Sequence, residues 1–143
     1  MQYFYIKNII IFIDKIYYSC YIITMRKENK NLLKDFPTYI SGPISSRIKL
    51  GTDWREPFIA AERSLRSLGY RQIHNPVDIA KGVEAACGAL GRRAKYADYM
   101  KADLEILLKC HTIVMLKGWE NSKGARLEYE IAEAIGMEIV YER

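Results

Sequence analysis

Residues 112–128 read TIVMLKGWENSKGARLE, and this stretch decides the fold class. An apolar, β-branched run is followed by a polar loop, and apolar residues then recur at helical spacing, which predicts a strand, a loop and a helix. The start of such a helix offers unpaired backbone N–H groups that bind anions. Ser122 lies at that start and Glu128 follows within the helix. The pattern therefore predicts a phosphate cradle beside a carboxylate, although Ser122 as a plain helix cap and Glu128 as a solvated residue would produce the same pattern.

The rest of the chain from Thr38 onward alternates between strand and helix patterns. Residues 77–94 contain three glycines and are predicted to be irregular, with a short helical patch at 83–89. The other predicted elements are strands at 38–41, 70–74, 112–116 and 138–141, and helices at 57–68, 96–109 and 124–135.

Strands that alternate with helices predict an α/β fold, here a three-layer Rossmann-like or flavodoxin-like sandwich with a parallel sheet of four to five strands. Ligands of such sheets bind beyond the carboxyl ends of the strands, where the strand order reverses. For a 2-1-3-4 order, the loops at 42–46 and 117–124 meet at that point. Both loops are rich in glycine and small polar residues, so we expect a binding site between them.

Charge and cysteine content argue against several classes of protein. The chain has 143 residues and a formal charge of +5. Residues 1–30 contain five basic and two acidic residues, so the remainder is nearly neutral and gives no basic face for nucleic acid. The three cysteines are widely spaced, which supports neither a disulfide framework nor a zinc site. We therefore expect no metal, no nucleic-acid partner and a cytoplasmic location.

The N-terminal region differs from the rest and is assigned to a separate segment, residues 1–30, ahead of a domain at 31–143. Residues 3–24 are apolar, but Asp14 and Lys15 lie at their centre, where each charge opposes membrane insertion by roughly 2.5–3.5 kcal/mol. Membrane association is therefore not expected. Met25 heads a polar run and is interpreted as the natural start, with a peripheral anchor or an added structural element as alternatives.

Several short motifs occur in an order that resembles the nucleoside 2-deoxyribosyltransferase-like superfamily, and in particular its uncharacterised bacterial and phage branch. The resemblance spans roughly residues 37–142. Its motifs are YISGPI at 39–44, GY at 69–70, NP at 75–76, DL at 103–104 and GWENSKGA at 118–125, followed by Glu128. One departure is His111, where the superfamily usually has an aspartate.

This resemblance implies a mechanism and a set of site residues. Glu128, four residues after Gly124, matches the glutamate that attacks the anomeric carbon of the sugar in the superfamily's transferases and 5′-monophosphate N-hydrolases. Asp103 matches the aspartate that assists departure of the base, Tyr39 the tyrosine that orients the nucleophile, and Ser122 the serine that holds a 5′-phosphate. The expected substrate-binding residues are Ser41, Gly42, Pro43, Ile44, Trp119, Asn121, Ser122, Lys123 and Gly124.

Each assignment has a structural alternative. Asp103 is equally compatible with an exposed residue paired to Lys101 or Lys109, and Tyr39 with a core aromatic. Trp119 is expected either to stack on a base or to pack under its loop, and Lys123 either to face a phosphate or to be solvated.

Taken with the resemblance, the sequence predicts an N-glycosidase or deoxyribosyltransferase that cleaves the bond between base and sugar of a nucleoside or nucleotide through a glutamate nucleophile. The alternatives are a nucleotide-sensing module without turnover and a glycohydrolase of the NAD type. We expect a small-molecule nucleoside or nucleotide as the partner, a homo-oligomer such as a dimer, and no cofactor.

Overall fold

A computed structural model describes residues 32–142. Its four strands form one parallel sheet in the order β2-β1-β3-β4, and helices cover both faces, so the predicted α/β class and strand order are confirmed. The expectations for residues 1–30, including the start at Met25, lie outside the described residues.

The elements follow each other in chain order after a 3-10 turn at Leu32–Asp35. A second 3-10 turn, Trp119–Asn121, lies in the loop after the third strand. The strands are β1 (Thr38–Ser41), β2 (Ile73–His74), β3 (Thr112–Met115) and β4 (Glu138–Tyr141). The helices are α1 (Ser45–Lys49), α2 (Arg55–Ser67), α3 (Pro76–Ala89), α4 (Tyr96–Leu107) and α5 (Lys123–Ala134).

Alternating side chains of β1 and β3 divide the core between the two faces of the sheet, as the pleat requires. On one face Tyr39, Ile113 and Met115 pack with buried residues of α4 and α5. On the other face Ile40 and Val114 pack with buried residues of α2 and α3. The sandwich therefore has three layers.

The prediction of an irregular segment at 77–94 is wrong apart from its helical patch at 83–89, because most of the segment forms the regular helix α3. The Asn75 side chain accepts a hydrogen bond from the Val77 N–H at 3.0 Å, and Pro76 occupies the first turn. Val77 and Ala80 are buried against α2 and the sheet. This cap and this apolar face outweigh the low helix propensity of Gly82 and Gly88.

Two smaller differences concern the first half of the chain. The second strand is only two residues long and not five, and the short helix α1 at 45–49 includes residues 45 and 46, which were expected to lie in a loop. No helix within residues 32–142 has the length and apolar character needed to span a bilayer.

Candidate functional site

A cavity of about 420 Å³ opens beside the carboxyl ends of β1 and β3. Helices from both faces of the sheet contribute to its wall, which contains three carboxylates. The lining residues are Tyr39, Gly42, Ile44, Ser45, Ile48, Trp54, Arg55, Phe58, Pro76, Ala80, Glu84, Tyr96, Tyr99, Met100, Asp103, Ser122, Gly124, Ala125 and Glu128.

Glu128 is buried in the wall of this cavity, with 5% of its surface exposed. Its Oε1 accepts a hydrogen bond from the Tyr39 hydroxyl at 2.8 Å, and its Oε2 accepts one from the Ser41 hydroxyl at 2.5 Å. Both donors come from β1, whereas Glu128 comes from α5. The interpretation of Glu128 as a solvated residue is therefore excluded, and both of its oxygens are held in place by the strand.

Asp103 lies beside this cluster on α4 and is also buried, with 7% of its surface exposed. Asp103 lines the cavity, and its buried Oδ1 has no hydrogen-bond partner among the described residues. Lys109, a partner considered for it from the sequence, pairs instead with Glu105 at 2.9 Å. A buried carboxylate oxygen without a partner is unusual in a folded protein and marks Asp103 as a candidate functional residue.

Burial raises the pKa values of Glu128, Asp103 and Tyr39. The pKa of Glu128 is raised to about 7, mainly because burial disfavours its charge and further because Asp103 is near, against the lowering effect of the Ser41 and Tyr39 hydroxyls. Burial also raises the pKa of Asp103 to about 6, against the lowering effect of the neighbouring Tyr39 hydroxyl. The pKa of Tyr39 lies well above its usual value because the ring is buried beside Glu128 and Asp103, so its hydroxyl stays protonated as a donor.

The loop after β1 lies close against β3. A side chain on Gly42 would bring its Cβ within 2.9 Å of the Leu116 Cβ, so glycine is needed for this close approach. Gly42 and Ile44 line the cavity, while Pro43 is buried and does not. Ser41 contacts the cavity indirectly, through its hydrogen bond to Glu128.

The N-terminus of α5 also contributes to the cavity wall. Ser122 is buried and accepts a hydrogen bond from the Ala125 N–H at 3.3 Å, so it caps the helix and also lines the cavity. Gly124 lies against α4, where an added Cβ would come within 3.3 Å of the Met100 sulfur. The two loops expected to meet at the site therefore both reach the cavity.

Besides Ser41 and Pro43, three more of the expected binding residues lie outside the lining. Asn121 and Lys123 are exposed. The Trp119 ring stacks on Tyr129 with centroids 4.6 Å apart, which is the packing alternative considered for it. Their roles in binding stay predictions.

Sequence reasoning missed the residues that form the far wall of the cavity. Trp54, Phe58, Glu84 and Tyr99 come from α3, α4 and the region where α2 begins, and no motif marks them. One signal was present for α4, because Tyr96 and Met100 share the helical stripe that continues to Asp103. Within residues 32–142, no group of three or more His, Cys, Asp or Glu side chains is arranged to hold a metal ion.

Comparisons with known proteins identify a family but no activity. Neither the curated proteins nor the solved structures gave a match to this chain. The family model described as a domain of unknown function, DUF4406, matches residues 36–141, which is well over half of the chain and includes every residue of the cavity wall. The chain therefore belongs to the DUF4406 family.

Proposed function

We propose that this protein is an N-glycosidase or deoxyribosyltransferase that breaks the bond between base and sugar of a nucleoside or nucleotide, with Glu128 as the nucleophile. The observation that carries the proposal is the buried Glu128 carboxylate, held by two hydroxyl donors in the wall of a cavity, with the unpaired Asp103 oxygen beside it. A surface carboxylate needs no such support, and buried carboxylates with raised pKa values are typical of catalytic sites.

The chemistry follows the two-step logic of retaining glycosidases. A Glu128 oxygen bonds to the anomeric carbon as the bond from that carbon to the base nitrogen breaks. The electron pair leaves with the base, which takes a proton from Asp103. Water, or a second base in a transferase, then attacks the anomeric carbon and frees Glu128, returning a proton to Asp103.

The two carboxyls need opposite protonation states for this sequence, with Glu128 ionised and Asp103 protonated. Tyr39 and Ser41 donate to Glu128 and so favour its ionised form, while Asp103 Oδ1 has no donor among the described residues. Positive charge that develops on the sugar next to Glu128 favours its ionisation further. Without substrate the shared proton favours Glu128, whose pKa of about 7 exceeds that of about 6 for Asp103, so the charge that develops on the sugar has to shift this proton to Asp103.

The experiment is a base-release assay on a panel of nucleosides and 5′-monophosphates, with free base measured by chromatography. We expect release by the natural chain and a loss of at least about a thousandfold in Glu128→Gln, as for removal of a covalent nucleophile. The control is Glu130→Gln, a position two residues along α5 that does not line the cavity.

Two results would contradict the proposal. If Glu128→Gln released base at nearly the rate of the natural chain, Glu128 could not be the nucleophile. Saturable binding of the panel without any release would instead favour the sensing module without turnover.

A further inference from the structure

Glu84 and Tyr99 form a polar pair in the cavity wall that the proposed reaction does not use. The Tyr99 hydroxyl donates a hydrogen bond to Glu84 Oε1 at 3.2 Å, and both residues line the cavity. Glu84 lies on α3 and Tyr99 on α4, and these two helices pack against each other. Both residues therefore lie on helices and not on a loop, with Tyr99 half-buried and Glu84 exposed.

Tyr99 lies on the same helix as Asp103, about one turn before it. Tyr99 precedes Asp103 by four residues on α4, which is about 6 Å along the helix axis. Asp103 is the residue proposed to protonate the leaving base, so a base bound there extends along α4 toward Tyr99. Trp54 and Phe58 also line the cavity, and as buried core aromatics they make part of its wall apolar.

The hydrogen-bonding capacity of the pair is one-sided. The Tyr99 hydrogen is already donated to Glu84, which leaves lone pairs on the Tyr99 oxygen and on the second Glu84 oxygen. An ionised carboxylate only accepts hydrogen bonds. The pair thus presents acceptors to the cavity and suits a ligand edge that donates.

We propose that Glu84 and Tyr99 read the edge of the base and select nucleosides or nucleotides with an exocyclic amine over those with a carbonyl at the same position. This inference rests on the proposed function and narrows its substrate class to amino-bearing bases such as adenine and cytosine. A base with a carbonyl at this position would point its lone pairs at the acceptor oxygens of Glu84 and Tyr99. Neither the base nor the two residues would then form a hydrogen bond, which disfavours binding of that base.

The test compares bases that differ at this position. The pairs are deoxyadenosine against deoxyinosine 5′-monophosphate and deoxycytidine against deoxyuridine 5′-monophosphate. The catalytic efficiency of the natural chain is measured for each, and Kd is measured with the full chain carrying Glu128→Gln, so that binding is observed without turnover. We expect the amino member to be favoured about tenfold or more in both measurements, as for a hydrogen bond to a charged group.

Variants then assign the preference to the pair. Glu84→Gln keeps the size of the side chain and adds an amide donor. The ratio of catalytic efficiencies for amino and carbonyl bases should therefore fall toward one. Tyr99→Phe frees the Glu84 carboxylate from its partner and should reduce the preference less. The control is Glu105→Gln on α4, an exposed residue paired with Lys109, which should leave the ratio unchanged.

The outcomes separate this inference from the proposed function. The inference is overturned if amino and carbonyl bases are used equally, or if Glu84→Gln leaves the ratio of their catalytic efficiencies unchanged. The proposed function still holds in that case, provided that the natural chain releases base. A Kd ratio that depends on Glu84, without base release by the natural chain, keeps the inference and overturns the proposed function.

Discussion

Glu128 carries an ionisable carboxyl group in the wall of a cavity, and this group is almost completely removed from water. Burial of a carboxylate is unfavourable unless hydrogen bonds offset it, and here two β1 hydroxyls do so only in part, since the pKa is still raised to about 7. A residual instability of this kind is common where a residue serves function. Its consequences can be measured in both rate and stability.

The rate of base release should have a bell-shaped pH dependence. The competent form has one ionised and one protonated carboxyl, so it lies between the two pKa values of the pair, about 6 and about 7. We expect a maximum near pH 6 to 7 in kcat/KM, with a fall toward tenfold per pH unit on both sides. Asp103→Asn should lower the rate and remove the alkaline limb, because it removes the acid. A flat profile from pH 5 to 8 would be incompatible with a carboxyl pair as acid and nucleophile.

Stability should depend on pH through the same residue. The folded state raises the pKa of Glu128 from 4.5 to about 7, so between these values it holds a proton that the unfolded chain has released. Stability is therefore retained below about pH 4.5 and falls as pH rises through 7. A tenfold difference in proton affinity between the folded and unfolded states corresponds to about 1.4 kcal/mol. Glu128→Gln should thus raise Tm by several degrees at pH 8 and change it little at pH 4.5, as measured by thermal unfolding.

The matched control for this measurement is Glu130→Gln, which lies on the same helix outside the cavity wall. It should change Tm by a similar small amount at both pH values. An equal effect of Glu128→Gln at pH 4.5 and pH 8 would show that burial does not raise its pKa.

At the scale of elements, the start of α5 has two tasks. Ser122 satisfies the Ala125 N–H, and its hydroxyl hydrogen remains available to an anion in the cavity. The helix N-terminus adds backbone N–H groups and partial positive charge. Lys123, which the sequence suggested as a further phosphate contact, is exposed and outside the lining.

Ser122→Ala should raise the KM for a 5′-monophosphate by about tenfold, since a charge-assisted hydrogen bond contributes roughly 1.5–3 kcal/mol. The KM for the matching nucleoside should hardly change. Loss of the cap should also lower stability by about 0.5–2 kcal/mol. Ser122→Asp separates these effects, because aspartate caps a helix well but repels phosphate: it should keep Tm and still lose the monophosphate. If Ser122→Ala changed the KM values for the nucleoside and the monophosphate equally, the start of α5 would not be the phosphate-binding site.

Elements differ in how far the sequence predicts them. Regular apolar spacing predicts strands β1, β3 and β4 and helices α2, α4 and α5 within a few residues. The same spacing does not predict the whole of helix α3, because Gly82 and Gly88 lower its local propensity. What stabilises α3 is tertiary: Asn75 also donates from its side chain to the Phe58 carbonyl at 3.2 Å and to Glu62 at 2.8 Å, contacts that no local pattern reveals.

On the scale of the whole molecule, the parallel sheet brings distant segments to one cavity. The loops after β1 and β3 meet beside it because these strands are neighbours at the point where the strand order reverses. Topology and the motifs of the resemblance thus predicted that Tyr39, Asp103 and Glu128 lie together. The part of the wall that contains Glu84 and Tyr99 was not predictable in this way, because these two residues meet only through the packing of two helices.

The most direct test of the central claim, covalent catalysis by Glu128, is a trapping experiment. The full chain is incubated with a 2′-deoxy-2′-fluoro nucleotide, whose fluorine slows breakdown of a glycosyl ester, and the digested protein is mapped by mass spectrometry. We expect one sugar on the peptide that contains Glu128 in the natural chain and in Glu130→Gln, and none in Glu128→Gln. Base release from the analogue with no label on Glu128, or with the label on another residue, would contradict the claim.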